Sequence, residues 1–263
     1  QGTVALNSFL QTNTIWISHN YLMIKPYKIS VPKSTLNNIY KKVRAYPWNM
    51  MQNVNGWEYG TNYNYLKKIS QYWVSKYNWI KFENKINSFK NYKTNVNGIN
   101  PHFIIEKSKN TKSRPLLLLH GWPGSVIEFF DIIPKLAHPE EYGGKIEDGF
   151  DVIIPSLPGF GFSTPIKKAL GPRRIGKILN KFMVKNLGYK NYIVQGGDWG
   201  ATIAAWIGLD SAKNCKAIHI NCLPIRHPKG PRNNKEKKWE KKFNFDQIMQ
   251  EGYRTQQATK PQS

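Results

Sequence analysis

The first third of the chain has the apolar spacing of amphipathic helices. Between residues 33 and 44, apolar side chains recur at positions 36, 39, 40 and 43, which is the spacing of one helical face. Ser34 or Thr35 is placed to cap the start of this helix. A second helix is predicted over about residues 62–77. The region also contains four tryptophans, which their spacing predicts to be core residues: Trp48, Trp57, Trp73 and Trp79.

A hairpin follows these helices. Asn97-Gly98 lies between the apolar runs 94–96 and 99–105, and this dipeptide is the strongest short-range signal for a two-residue hairpin turn.

From Arg114 onward, short apolar strands alternate with helices. The predicted strands cover 115–119, 150–154, 192–195 and 216–220, and the predicted helices cover 125–136, 173–187 and 201–209. Such alternation predicts a parallel sheet covered on both faces. The predicted organisation is an N-terminal meander over 1–108, a partial α/β core over 109–223 and the start of a helical lid over 224–263.

Composition indicates a globular protein with an unusual charge. The chain has 263 residues, of which 40% are hydrophobic, and this excludes wholesale disorder. Its formal net charge of +23 raises the possibility of nucleic acid or an anionic membrane as a partner. Because the lysines are spread along the whole chain, a solvated basic surface without specific nucleic-acid binding is the preferred interpretation. The one dense basic cluster, residues 228–242, is interpreted as a loop leading into a helix, with attraction to a membrane surface as the alternative.

The strongest chemical signal follows the strand 192–195. The sequence Gly196-Gly197-Asp198-Trp199-Gly200 leads from that strand into a helix, which is the layout of a nucleophile elbow. Glycines two residues before and after the nucleophile are needed because the turn leaves no room for a Cβ. A carboxylate nucleophile suits attack on an alkyl carbon, as in opening a strained ether or displacing a halide. The alternative is an ordinary glycine-rich turn whose Asp198 caps the helix.

Two further loops occur in the order that such a fold requires. The strand 115–119 ends in His120-Gly121-Trp122, in the place where a hydrolase loop donates an oxyanion-hole N–H. Trp122 and Trp199 are the predicted backbone donors, and His120 is interpreted as a structural brace. The third loop, 155–165, resembles a dinucleotide loop only weakly, so no cofactor is predicted.

With these motifs the chain resembles microsomal-type epoxide hydrolases, including juvenile hormone epoxide hydrolases. The resemblance rests on H-G-W-P-G-S at 120–125, P-G-F-G-F-S at 158–163 and Q-G-G-D-W-G at 195–200. It extends to the N-terminal meander, 26–108, and to a lid segment with Gly252-Tyr253 and 257–261. The implied architecture is an α/β-hydrolase fold with a mostly parallel sheet, a family-specific meander and a helical lid.

The resemblance also implies roles for individual residues. Asp198 would attack an epoxide carbon to give a hydroxyalkyl ester, and Tyr253 would protonate the leaving oxygen. Trp122 and Trp199 would hold the oxyanion while an activated water hydrolyses the ester. The implied partners are a small apolar epoxide and water, and the implied location is the endoplasmic reticulum or microsomal membrane.

The sequence also departs from the family pattern. The last two strands of the sheet, the second lid tyrosine, the acid and the base histidine are expected to be missing, so the chain is predicted to be a fragment or a truncated gene product that does not turn over. Cys215 and Cys222 are expected to be free, half-buried thiols, and no metal site is predicted. His219 and His227 are interpreted as structural. No run of 18 apolar residues occurs, so no spanning helix is predicted, while an anchor upstream of Gln1 stays an open alternative.

Two other functions remain as rivals. A haloalkane dehalogenase would share the fold and the Asp nucleophile, but Gly197, Trp122 and Tyr253 argue against it. A non-catalytic truncated hydrolase that binds through its basic surface is the alternative from another class.

Overall fold

The computed structural model describes residues 24–52, 56–58, 60–222 and 230–250, the last seven of these as backbone only. The described chain forms two units, which divide between Cys222 and Leu223. The first unit contains a seven-stranded mixed sheet, and the second contains one helix. Tyr253 and His227 lie outside the described residues.

The N-terminal region supplies three helices and three strands. Strand β1 spans Lys25–Pro26, helix α1 Lys33–Arg44, helix α2 Tyr63–Ser75, helix α3 Trp79–Asn87, strand β2 Asn91–Lys93 and strand β3 His102–Glu106, with a 3₁₀ turn at Trp48–Met50. Asn97 and Gly98 both have positive φ, and Val96 and Ile99 exchange both backbone hydrogen bonds, so the hairpin turn is confirmed. The predicted helices at 33–44 and 62–77 are also present.

Two predictions for this region are wrong. Pro32 is the N-cap of α1 and no side chain caps that helix, because Ser34 and Thr35 already lie inside its first turn. The prediction that the four tryptophans are core residues fails for Trp57 and Trp73, which are exposed, whereas Trp48 is partly buried and Trp79 packs against the core. Helices α1 and α2 contact each other, and neither has a fully buried side chain.

The core of the first unit alternates strands and helices. Strand β4 spans Arg114–Leu119, helix α4 Ile133–Ala137, strand β5 Phe150–Pro155, helix α5 Pro172–Lys181, strand β6 Tyr192–Gly196, helix α6 Trp199–Asp210 and strand β7 Cys215–Ile220. Shorter helical turns lie at Val126–Phe129, Pro139–Tyr142, Ile146–Asp148 and Phe182–Asn186. The predicted helix 125–136 is therefore two separate pieces.

The sheet order is β1-β2-β3-β5-β4-β6-β7. Strands β5, β4, β6 and β7 are parallel, and β1 to β3 continue the sheet in antiparallel pairs. The meander therefore shares one sheet with the core. Because three parallel strands have neighbouring carboxyl ends, the loops after β4, β5 and β6 meet at one edge.

Both faces of the central strands are covered. In β4, Leu117 and Leu119 pack into the cluster that holds α5 and α6. Leu116 and Leu118 pack into the opposite cluster with Val126 and other residues of the 126–137 segment. A strand that is buried on both faces needs a continuous apolar run, which the sequence of β4 provides.

Strand β7 departs from that pattern. Cys215 is buried, but the next four side chains of the strand are exposed, and Ile218 is 45% exposed. His219 therefore lies on an exposed strand rather than a core strand. Cys215 and Cys222 are free, one buried and one exposed rather than both half-buried. Within the described residues no strand lies beyond β7, so nothing there covers this edge.

The second unit contains helix α7, Asn234–Gln250. Its start is stabilised by Asn233, whose side chain accepts a hydrogen bond from the Glu236 N–H. Trp239 and Phe243 stack with ring centroids 4.8 Å apart. A helix in this part of the chain agrees with the predicted helical segment.

Candidate active site

Asp198 lies at the tip of the turn between β6 and α6. Its φ is 48° and its ψ is −121°, a left-handed backbone conformation that costs of order 1–3 kcal/mol in a residue other than glycine. The side chain is exposed at the amino end of α6, where the helix dipole stabilises an anion. The turn holds the carboxylate out from the sheet in a strained position that the surrounding loops must maintain.

The flanking glycines are required by contacts. A Cβ at Gly196 would lie 2.1 Å from the Gly200 carbonyl oxygen, and a Cβ at Gly200 would lie 2.2 Å from the Leu119 carbonyl oxygen. Neither oxygen can move, because both belong to the backbone of packed elements. The glycine spacing read from the sequence is therefore a steric requirement of this turn.

The loop after β4 reaches the same carboxylate. The Trp122 N–H donates a hydrogen bond of 2.8 Å to Asp198 Oδ1. Gly121 lies against the same side chain, since a Cβ there would be 2.5 Å from the Asp198 Cβ. This contact places one of the two predicted amide donors beside the carboxylate.

The second predicted donor is arranged differently. The Trp199 N–H is one of the first amides of α6, which have no preceding carbonyl as partner. The structure shows no hydrogen bond from it to Asp198 among the described residues. An amide in this position can donate to an oxygen other than the resting carboxylate.

Residue 197 is crowded from the other side. A Cβ at Gly197 would lie 2.7 Å from Asn221 Oδ1, so the Asn221 amide occupies the space of a side chain at 197. The sequence shows Asn221 only as a residue without a carboxylate at the end of β7. The packing could not be read from the sequence, because it depends on the pairing of β6 with β7.

His120 braces two loops. Its Nε2 accepts the Leu157 N–H at 3.0 Å, so Nδ1 carries the proton and donates to the Gly121 carbonyl at 2.9 Å. Burial lowers the pKa of His120 and keeps the ring neutral. Because both nitrogens are used, His120 is a structural residue and not a free base.

The loop after β5 is also tied down by polar side chains. Ser163 Oγ donates to the Ser156 carbonyl at 2.7 Å and accepts the His102 N–H at 2.9 Å. Gly159 and Gly161 have positive φ. These hydrogen bonds give the motif at 158–163 a structural role in holding the loop after β5.

A capping box that the sequence interpretation missed ends the loop after β4. The Ser125 side chain accepts the Ile127 N–H, and Glu128 Oε1 accepts the Ser125 N–H at 3.2 Å. The pattern Ser-x-x-Glu is a readable signal for such a cap. It fixes the end of the loop that carries the Trp122 N–H.

A groove runs along this loop. Its volume is about 510 Å³, within the range of small-molecule sites. Its walls include the Trp122 and Phe160 rings and Ile127, and Glu128 is its one charged lining residue. This open groove beside Trp122 is mostly apolar.

Away from this site, the described residues include one cluster of side chains that could bind a metal ion. His138, Glu140 and Glu141 bring their ligand atoms within 4.8 Å of one another. Lys109 Nζ lies 2.6 Å from Glu141 and 3.1 Å from Glu140, so these carboxylates already have a counter-ion. His138 is paired with Glu106 at 3.3 Å, at the sheet edge opposite to the candidate active site.

Comparison with known proteins gives consistent matches. The protein-family model described as epoxide hydrolase N terminus matches residues 24–129. The family model described as alpha/beta hydrolase fold matches residues 114–263. Juvenile hormone epoxide hydrolase 1 of Ctenocephalides felis is 35% identical over 79% of this chain and 45% of its own length. Epoxide hydrolase 1 of Oryctolagus cuniculus is 35% identical over 77% of this chain and 45% of its own length.

Solved structures agree with these matches. The juvenile hormone epoxide hydrolase of Bombyx mori superposes with a TM-score of 0.70 at 32% identity, covering 80% of this chain and 50% of that one. The Aspergillus niger epoxide hydrolase gives 0.76 at 29% identity, covering 94% of this chain and 64% of that one. The chain spans about half the length of the curated relatives it matches.

Proposed function

Because the chain belongs to the epoxide hydrolase family and has its α/β-hydrolase fold, we propose that Asp198 opens epoxides through a covalent ester. The observation that carries this proposal is the hydrogen bond of 2.8 Å from the Trp122 N–H to Asp198 Oδ1 on a strained turn. It fixes one carboxylate oxygen of a side chain that is exposed. The proposed partners are a small apolar epoxide and water.

The first half-reaction uses Asp198 as the nucleophile. One carboxylate oxygen attacks an epoxide carbon, the carbon–oxygen bond of the ring breaks, and the released oxygen takes a proton. We propose Tyr253 as the proton donor, because an unprotonated alkoxide is a poor leaving group near neutral pH. The product is a hydroxyalkyl ester of Asp198.

The second half-reaction hydrolyses that ester. Attack by water puts negative charge on the former carboxylate oxygen, and backbone N–H groups stabilise such charge. We propose Trp122 and Trp199 for this role, with Trp122 already in contact and Trp199 available for the new oxyanion. Among the described residues no imidazole contacts Asp198.

The arrangement disfavours the dehalogenase alternative. That reaction class usually has a longer residue, Gln, before the nucleophile. Here Gly197 stands before the nucleophile, and a side chain there would have to displace the exposed Asn221 side chain. The polar residue that holds halide in that class would stand at the position of Trp122.

The test is covalent labelling. Intact-mass measurement after incubation with a small reactive epoxide should show one adduct, and Asp198→Asn should abolish it. Tyr253→Phe should slow labelling by about 10²–10⁴-fold, the usual contribution of a positioned acid. Multiple turnovers to the diol would show that a base is present. No adduct on folded protein would refute the nucleophile assignment and favour the non-catalytic alternative.

We also propose an association with the endoplasmic reticulum membrane, which the family resemblance and the positive net charge support. No helix among the described residues is long and apolar enough to span a bilayer. Cell fractionation tests the location: recovery in the microsomal pellet is expected, and recovery in the supernatant would overturn it.

A further inference from the structure

A cluster of metal-ligand side chains lies at the sheet edge opposite to the candidate active site. Glu106 ends β3, His138 follows α4 directly, and Glu140 and Glu141 lie in the helical turn Pro139–Tyr142. His138, Glu140 and Glu141 each offer a ligand atom, and these atoms lie within 4.8 Å of one another. We call these three residues the His-Glu-Glu cluster.

The imidazole of His138 is oriented as a metal ligand. Its Nε2 lies 3.3 Å from Glu106 Oε1, and because a carboxylate only accepts, Nε2 carries the proton and donates it. The lone pair of Nδ1 is therefore available, and Nδ1 lies 3.9 Å from Glu140 Oε1. A carboxylate on the other ring nitrogen is the usual outer partner of a metal-binding histidine, since it fixes the tautomer and the orientation of the ring.

Two atoms inside the cluster lack a partner. His138 Nδ1 and Glu140 Oε2 are shielded from solvent, and neither has a hydrogen-bond partner among the described residues. Buried polar atoms without a partner are rare in native proteins, and a bound water or ion is a common explanation. Because both of these atoms are acceptors, a cation satisfies both at once. This observation is independent of the number of carboxylates in the cluster.

The Lys109 ammonium shows where the cluster attracts positive charge. Its Nζ lies 3.1 Å from Glu140 Oε1 and 2.6 Å from Glu141 Oε1. The Lys109 side chain is 56% exposed, and exposed ion pairs of this kind are weak. A divalent ion that also bonds to the imidazole can therefore displace this ammonium from the two carboxylates.

We propose that the His-Glu-Glu cluster binds a Zn²⁺ ion, with Glu106 orienting the imidazole and Lys109 moving aside. A donor set of one imidazole nitrogen and carboxylate oxygens suits zinc, whereas magnesium and calcium prefer oxygen ligands alone. Bonds of about 2.0–2.2 Å place two ligand atoms of a tetrahedral zinc ion about 3.5 Å apart. The 3.9 Å between Nδ1 of His138 and Oε1 of Glu140 needs only a small closure.

The expected role of the ion is structural. The His138 ring and its partner Glu106 are 32 positions apart in the chain, so the ion would hold the segment after α4 against the end of β3. A ligand that binds the folded state alone raises stability with its concentration. Zinc should therefore raise the melting temperature, and this effect does not depend on Asp198 or on epoxide chemistry.

The experiment is a calorimetric titration of the full chain with Zn²⁺, in a Cys222→Ser background because an exposed thiol also binds zinc. One equivalent should bind. His138→Gln removes the nitrogen ligand and should weaken binding more than about a hundredfold, and Glu106→Gln should weaken it about 10–100-fold. His219→Gln makes the same change at an exposed imidazole and should leave the affinity within about threefold.

Lys109→Gln gives a test that does not rest on a loss of binding. The variant removes the competing ammonium and keeps every ligand, so zinc should bind about three- to tenfold more tightly. Lys112→Gln removes the same charge from an exposed position in the same loop, and its affinity should stay within about twofold of the parent.

Three outcomes would overturn the proposal. Absence of saturable zinc binding by both the folded parent and Lys109→Gln would leave bound water as the partner of the two acceptor atoms. Equal affinities for His138→Gln and His219→Gln would assign the zinc to another site. Equal binding of Mg²⁺ that His138→Gln does not change would indicate a carboxylate site without the imidazole. A zinc anomalous peak about 2.0–2.2 Å from His138 Nδ1 in a crystal of the soaked protein would support it.

Discussion

Lowering the pH should destabilise this protein through one buried imidazole, His102. The side chain is fully buried at the start of β3. Its Nε2 lies 2.9 Å from Asn91 Oδ1, and its Nδ1 lies 2.9 Å from Ser156 Oγ. The Asn91 amide nitrogen donates to two backbone carbonyls, so Asn91 Oδ1 must accept, and the ring is neutral with its proton on Nε2.

The size of the effect follows from the pKa. Burial, with a smaller contribution from the charge of Lys93, lowers the pKa of His102 to about 3, against about 6.5 in an unfolded chain. Between these values the unfolded state binds one more proton than the folded state. The contribution is therefore complete above pH 6.5 and is lost as pH falls toward 3, by about 1.4 kcal/mol per pH unit. At pH 4.5 the loss is about 2–3 kcal/mol, a large share of a typical stability of 5–15 kcal/mol.

The assay compares two proteins rather than two pH values alone. Urea unfolding of wild type and His102→Gln is followed by tryptophan fluorescence at pH 7.5, 5.5 and 4.5. The variant is less stable at pH 7.5, because it loses the bond to Ser156, but its disadvantage should shrink by about 2–3 kcal/mol at pH 4.5. His219→Gln makes the same change at an exposed site and serves as the matched control. Parallel curves for wild type and His102→Gln would show that the imidazole protonates normally and would refute the reasoning.

Four further outcomes are expected. Gly196→Ala should lower the free energy of unfolding by about 3 kcal/mol in urea titrations, because its Cβ meets the backbone at 2.1 Å; a neutral result would contradict the steric reading of the turn. Gly197→Ala should slow covalent labelling of Asp198 about ten- to hundredfold, because the new side chain displaces the turn. The double variant with Asn221→Ala should label at the wild-type rate. If it does not, the Asn221 side chain is not what the new Cβ meets. Asp151→Asn should lower the free energy of unfolding by about 3 kcal/mol in the same titrations. The Asp151 carboxylate is only 7% exposed and accepts hydrogen bonds from the side chains of Lys107, Tyr189 and Ser113. A loss below about 1 kcal/mol would mean that its ion pair with Lys107 contributes little. Nucleic-acid binding should be weak, salt-dependent and indifferent to sequence in competition assays, and tight preference for one sequence would contradict this.

The site depends on two kinds of information. The glycines around Asp198 and the order of the three loops were readable, because a tight strand-to-helix turn tolerates few residue types. The apolar strands 115–119 and 150–154 and the Asn97-Gly98 turn could be predicted for a similar reason, because each meets a local requirement of burial or backbone conformation. Local patterns of this kind predicted the α/β sheet and the position of the carboxylate.

Contacts between distant segments were decided only by the tertiary structure. The pairing of β4 with β6 brings the Trp122 N–H to Asp198, and the pairing of β6 with β7 brings Asn221 against Gly197. Periodicity predicted buried tryptophans in the N-terminal helices, yet a helical apolar face is buried only where another element covers it. That covering depends on the whole fold, so the sequence determined which faces are apolar, and the structure decided which of them remain exposed.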